Sequence, residues 1–373
     1  MYDLISVDDH IIEPPGVWEE RLPSNYRDVG PHVVEEDGRE FWAYEDKRGE
    51  TMGLNAVAGK PIESWNMEPA RYSDMIPGCY DPVERAKDLK RDNIVGSLCF
   101  PTLPRFGGTL FLEFRDKQLA DLCVKAYNDW MFDGWCAGAP DLFIPMTICQ
   151  LWDPELAAGE IRRCAERGAR ALAFIENPVP LGLPSFYTDH WDPVWRACEE
   201  TRTVVNLHIG TSGQMVWPSP ADSGFHIAIM LAQVNAATAM VNLIESPVPH
   251  RFPEIQIALS EGGIGWIPSQ LERCDRMWER HQGWAGDDMG PMPPSEVFRR
   301  NFYGAFVDDE VGIEVRHHIG VDRIMWECDY PHVEAPWPDS QVVMDKLMAG
   351  VPAEEAELMT NGNARRLYRW PKS

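Results

Sequence analysis

The sequence predicts an α/β protein: a (β/α)8 TIM barrel with a long loop inserted after its first strand. Two observations carry this prediction. Eight short apolar runs alternate with segments of helical period, the pattern of a repeated βα unit. The length, 373 residues, suits one such barrel with insertions. Residues 1–373 are therefore read as one barrel domain, with 13–79 as the insertion over one rim.

Strand one is Leu4-Ile5-Ser6-Val7, running into Asp8-Asp9-His10 and stopped by Pro14-Pro15. Side chains alternate along a strand, so Asp8 and His10 share a face and Asp9 takes the other. From Glu13 to Cys79 no period holds, and Pro and Gly recur; only Glu40–Asp46 reads as part of a hairpin. A loop this long inside a domain is usually functional. Asp81 caps a helix over Pro82–Asp92, with Pro82 in its first turn. Strand two is Gly96–Phe100. A long amphipathic helix covers Glu113–Ala137, and strand three is Leu142–Cys149. Asp153-Pro154 opens a helix to Arg167, strand four is Ala169–Phe174, and Asp192-Pro193 opens the next helix. Strand five is Thr203–His208, followed by a helix over Phe225–Glu245. Strand six is Ile255–Leu259, with a helix over Ile264–His281. Strand seven is Phe302–Phe306, with a helix over Asp308–Ile319. Strand eight is Arg323–Trp326, and helices over Pro338–Met348 and Ala353–Tyr368 close the chain.

Lysine and arginine number 34 against 59 acidic residues, a net charge of −25. So large an acidic excess argues against nucleic acid and anionic membranes as partners. Nine cysteines without a C-x-x-C pair read as reduced thiols of a cytoplasmic protein. No leader-like segment and no run of about 18 apolar residues is present, so no membrane span is expected.

In a barrel, chemistry sits at the C-terminal strand ends. Strand one ends in Asp8 and His10, strand five in His208, strand six in Glu261 and strand eight in Asp329, with His332 just beyond. Carboxylates and imidazoles at four strand ends of one rim point to a divalent-metal centre. Glu261, Asp329 and His332 are also the candidate acid–base groups. Asp9 is a further candidate oxygen ligand; His226 starts a helix after strand five, where a helix-end hydrogen bond is its expected role and reach to the site the alternative. Met75, Trp65, Trp217, Trp266 and Trp337 are expected over the rim, as walls of an apolar pocket. Arg71, Arg105 and Glu176 are the loop charges available to a charged substrate.

The segments Ser6–Pro15, Ala126–Trp130, Val205–Gly210, Glu261–Pro268, Asp329–His332 and Asn363–Tyr368 resemble the amidohydrolase-related family of the amidohydrolase superfamily, nearly end to end. That family consists of metal-dependent barrels, including hydrolases and non-oxidative decarboxylases. The resemblance puts Asp8, His10, His208 and Asp329 on its usual ligand positions. Two departures stand out. The first pair is Asp-x-His rather than His-x-His or Glu-x-His, and Glu261 stands where decarboxylase-like members carry an active-site His. An extra carboxylate favours two cations, about 3.5–4 Å apart in such sites.

In this respect the chain resembles a branch of dinuclear non-haem monooxygenases that includes a hydroxylase of 2-aminoisobutyrate. That likeness implies two metals, Fe and/or Mn, and hydroxylation of an aliphatic C–H with O2. Neither a Rossmann glycine motif nor a cysteine cluster is present, so ferredoxin and reductase would be separate chains. A paralogous barrel subunit or a homo-oligomer is implied as well. The alternatives are a hydrolase or decarboxylase with one Zn or Mn, and a non-catalytic barrel subunit.

Overall fold

The computed structural model describes residues 1–285 and 290–371. Eight parallel strands form the barrel wall: Leu4–Ile11, Ile94–Pro101, a divided third strand, Ala171–Phe174, Val204–His208, Ile257–Ser260, Phe302–Phe306 and Ile324–Trp326. Most are near-continuous apolar runs, as strands covered on both faces must be. Pro145 has no N–H for the ladder. The predicted single third strand therefore breaks into Phe143–Ile144, paired with strand two, and Met146–Thr147, paired with strand four.

The seam between strands eight and one closes beyond the end of strand eight. There Asp329 N–H donates to Asp8 O and His10 N–H to Tyr330 O, both at 2.7 Å, while Cys328 N–H donates to Ser6 Oγ at 2.9 Å. Asp9 reinforces it from behind. Its carboxylate accepts from Ser6 Oγ at 3.0 Å, Tyr330 N–H at 3.1 Å and the Ser97 hydroxyl. At the other end Tyr368, fully buried, plugs the barrel floor and donates its hydroxyl to Asn206 Oδ1 at 2.5 Å.

Asp81 and Asp153 cap their helices as expected, each accepting two backbone N–H groups. Several predicted helices are shorter or divided. The one over 113–137 is Lys117–Trp130, continued by a wider turn over Met131–Cys136. The one over 225–245 breaks at Leu231 into His226–Met230 and Ala232–Ile244. The one over 308–319 is Glu310–Glu314 and Arg316–Ile319, and a wider turn at Leu358–Gly362 interrupts the last helix. No described helix is long and apolar enough to cross a membrane. All nine cysteines are buried free thiols.

The insertion is more regular than expected. It holds an antiparallel sheet of His32–Glu36, Arg39–Tyr44 and Lys47–Gly49. Asp37-Gly38, both at positive φ, make its first turn, the Asp-Gly signal of a two-residue hairpin. Its later part docks on the segment carrying His332, with Val57 N–H donating to Pro331 O at 3.0 Å.

Buried Glu13, at the mouth of the insertion, accepts Thr102 N–H at 2.9 Å and Leu103 N–H at 2.8 Å, pinning the loop after strand two. Burial pushes its carboxyl up from 4.5 to about 7 against those two hydrogen bonds. A carboxyl raised in the folded state contributes stability that is present below pH 4.5 and lost as pH rises through about 7. Urea titrations across this window should show the wild type losing about 3 kcal/mol relative to Glu13→Gln. Parallel pH dependences for the two proteins would contradict this account of Glu13.

Candidate metal centre

All six predicted residues meet at the C-terminal mouth of the barrel. Asp8 and His10, fully buried, lie on the inner face of strand one. The His10 ring nitrogen Nε2 is 3.4 Å from Asp8 Oδ1, 3.3 Å from Asp329 Oδ1 and 3.1 Å from His208 Nε2. His208 Nε2 also lies 3.5 Å from Asp8 Oδ2 and 3.1 Å from Glu261 Oε2. His332 stacks on His10 with ring centroids 3.7 Å apart, and its Nδ1 is 3.3 Å from Asp329 Oδ1.

His208 shows its tautomer by its partner. Nδ1 donates to Ile209 O at 2.7 Å, so the Nε2 lone pair faces the cluster, as in a metal-ligating imidazole. Burial lowers all three imidazoles, His10 well below the usual range and His208 and His332 to about 3. Burial first, and neighbouring carboxylates second, hold Asp8, Glu261 and Asp329 well above the usual carboxylate range.

Both oxygens of Asp8, both of Asp329, and His332 Nε2 are buried without a hydrogen-bond partner. Buried polar atoms are normally paired, and a cation satisfies this set. Two groups of donor atoms are close enough to hold one: Asp8, His10 and His208, and His10, Asp329 and His332. Mixed carboxylate and imidazole donors fit a divalent ion of the Mn, Fe or Zn type.

Glu261 and Asp329 adopt left-handed backbone, with φ of 56° and 61°. Such strain, about 1–3 kcal/mol each, persists only where the surroundings impose it. For Glu261 they are visible. Its N–H donates to both oxygens of buried Glu327 at 3.2 Å, and Asp309 gathers the next turn by accepting Ile264 and Gly265 N–H at 2.7 Å. A Cβ on Gly262 would lie 2.4 Å from Ala236 Cβ, so Gly262 serves close packing on a helix rather than close approach to the metal.

Several expectations need correction. Asp9 points away and is fully engaged in the seam, so it is not a ligand. His226 is exposed at the start of its short helix. Arg71 is paired with Asp74 and Arg105 with Glu113, while Glu176 accepts from Ser212 Oγ at 2.8 Å. The cavity over the cluster, about 290 Å3, is lined by none of the five expected wall residues, Met75 and the four tryptophans. Its apolar wall comes from Phe106, Phe225, Met52, Leu54, Met215 and Ile209.

Three contributors were not singled out from the sequence. Phe106 covers the imidazoles, 4.6 Å from His10 and 4.3 Å from His208 between centroids. Glu327 lies two residues before Asp329, where carboxylate spacing was a usable signal. Buried Arg85 donates to His10 O at 2.7 Å and sits 4.1 Å over the Tyr330 ring. It positions strand one against the segment after strand eight.

Comparison with known proteins agrees with this architecture. A family model described as Amidohydrolase matches residues 30–370. The gamma-resorcylate decarboxylase of Rhodococcus jostii (strain RHA1) is 27% identical over 260 residues, 63% of this chain and 75% of that protein. An amidohydrolase from Mycobacterium avium subsp. paratuberculosis K-10 superposes with a TM-score of 0.76 at 22% identity, covering 98% and 99% of the two chains. A dihydroxybenzoic acid decarboxylase from Polaromonas sp. JS666, solved with manganese and 2-nitroresorcinol, superposes with a TM-score of 0.64 at 16% identity, covering 100% and 98%. Two of these three are named as decarboxylases and one as an amidohydrolase, which does not bear out the expected monooxygenase branch.

Removing one carboxylate should separate metal binding from folding. Asn tolerates left-handed backbone, and Asp329→Asn relieves crowding of like charge. The metal-free variant should be more stable than metal-free wild type by about 1–3 kcal/mol, as when an uncompensated buried charge is removed. Manganese should raise the melting temperature of the wild type alone. An equal rise in the variant would place the metal elsewhere.

Proposed function

Because this chain belongs to the amidohydrolase family, whose members are metal-dependent enzymes, we propose that it removes carbon dioxide, without oxidation, from a small aromatic carboxylate. The observation that carries this reading is the cavity. Its lining has room for one ring, and among the described residues Glu261 and His332 are its only ionisable ones. With no lysine or arginine there among the described residues, a cation held by Asp8, His10, His208 and Asp329 would meet a substrate's negative charge. That cation would polarise the substrate's oxygens and offset their charge. The relatives named as decarboxylases of dihydroxybenzoates support the same reaction class.

Decarboxylation breaks a ring-carbon to carboxyl bond, leaves the electron pair on the ring carbon and needs a proton there. Glu261 lines the cavity, and its carboxyl is held well above the usual range by burial first. Glu261 is the carboxyl placed to hold that proton and deliver it to the ring carbon. Phe106 and the apolar wall exclude water and keep the ring over the cluster.

One observation favours a second reading. Glu261 adds a third carboxylate beside Asp8 and Asp329, and a carboxylate-rich site would suit two adjacent cations and an O2-dependent hydroxylase. That enzyme would need external electron carriers, a separate ferredoxin and reductase, and a paralogous or identical partner subunit. Its amino-acid substrate is the weaker part of this reading, since no guanidinium lines the cavity.

The two readings separate in one assay with manganese- or iron-loaded protein and a panel of hydroxybenzoates and small amino acids. Carbon dioxide release under argon supports decarboxylation. Label from O2 in a new hydroxyl group supports hydroxylation. Glu261→Gln should lower kcat for decarboxylation by about 10²–10⁴-fold, the range for a lost general acid. An unchanged kcat would remove Glu261 from the proton-donor role.

A further inference from the structure

The opposite end of the barrel carries a cavity of about 850 Å3. It is built where the chain enters strands five to eight and where the last helix packs. Arg202, Arg300, Arg323, Arg366 and Arg369 line it. The carboxylates in the lining are Glu199 and Glu254, and Glu199 already accepts Glu254 N–H at 2.9 Å. Five guanidinium groups against two carboxylates leave a surplus of three positive charges, in a chain whose net charge is −25.

These arginines are poorly compensated. Among the described residues only Arg323 has an ion pair, with exposed Asp322 at 3.3 Å, and its Nε lacks a hydrogen bond. Arg300 reaches Pro249 O at 2.6 Å, Arg366 reaches Asn363 Oδ1 at 2.8 Å, and Arg369 reaches Arg202 O at 2.9 Å. None of these acceptors carries charge. Burial, with Arg170 and Arg202 nearby, holds Arg369 below the usual guanidinium range.

Two of the five occupy costly backbone. Arg202 and Arg369 end the helices Asp192–Thr201 and Asn363–Tyr368 in left-handed conformation, with φ of 54° and 53°. Glycine, or at times asparagine, is the usual choice at such a position, because a larger side chain crowds the backbone there. Arginine stands there twice, side by side, at the mouth of one cavity.

We propose that this cavity binds a small anion carrying more than one phosphate group, of the pyrophosphate or nucleoside diphosphate type. Guanidinium forks match phosphate oxygens two at a time, and several forks around one cavity suit several such groups. The volume is in the range of small-molecule sites, about 300–1,000 Å3. Buried Tyr303, with the Arg323 guanidinium 4.9 Å over its ring, gives the cavity an apolar floor. The acidic remainder of the surface repels a long polyanion, so a nucleic acid is the wrong occupant. The site lies at the rim opposite Glu261 and His208, and it stands whatever reaction occurs there.

The test is calorimetric titration of the full-length, metal-loaded protein with inorganic pyrophosphate at low ionic strength, with orthophosphate in parallel. One pyrophosphate should bind per chain, at least tenfold tighter than orthophosphate, and more weakly as salt rises. The double variant Arg202→Gly/Arg369→Gly removes two charges while relieving both backbones. It should keep or raise the melting temperature and weaken pyrophosphate at least tenfold. Arg366→Gln, at an exposed side chain, should weaken it several-fold and serves if the double variant does not fold. No binding of pyrophosphate, equal affinity for orthophosphate, or affinity unchanged in these variants would overturn the proposal.

Discussion

The structure depends on one electrostatic constraint: Asp8, Asp329 and Glu261 converge with three imidazoles, and among the described residues no lysine or arginine stands between them. Two like charges about 4 Å apart repel by about 4 kcal/mol even at an effective dielectric of 20. The imidazoles do not relieve this, because burial lowers His208 and His332 to about 3 and they stay neutral at ordinary pH. A divalent cation would turn the same crowding into coordination. The buried oxygens without partners on Asp8 and Asp329 have no other account in the structure.

Closure of the barrel and assembly of this centre are the same event. The seam hydrogen bonds run between the backbones of Asp8 and Asp329 and of His10 and Tyr330, so the residues that close the wall are those that bear or flank the donor atoms. Asp9 and Arg85 grip the seam from outside. Glu13 holds the loop that leads to Phe106, and the insertion docks on Pro331 next to His332. Asp9, Arg85 and Glu13 are buried polar groups, Arg85 and Glu13 held by backbone and Asp9 by two hydroxyls and one backbone N–H. Those at the seam hold the strained turn at Asp329, as Glu327 and Asp309 hold the one at Glu261.

The sequence made the barrel legible because parallel strands covered on both faces are apolar runs, and runs alternating with amphipathic segments leave few architectures. That six candidate residues would meet was legible for a related reason: strand ends of one rim must converge in a closed barrel. What stayed hidden depends on long-range geometry. Nothing local says that Phe106 folds over the imidazoles or that Arg85 reaches His10 across 75 positions of chain. Strand periodicity did say that Asp9 faces away from Asp8, and the seam explains why it is buried there nonetheless. Asp37-Gly38 was a readable turn signal, and it marks the hairpin in the insertion. The tryptophans misled because bulk and loop position do not determine which side of a loop faces the cavity.

The central claim is that one cation-binding cluster organises this rim. It is tested most directly by anomalous diffraction at the manganese edge from crystals of manganese-loaded protein. The account predicts a peak bounded by Asp8, His10, His208 and Asp329, at about 2.0–2.3 Å from their donor atoms. A second peak toward His332 and Glu261 would mark a dinuclear centre. A map with no peak among these side chains, in protein that retains bound manganese, would contradict the account.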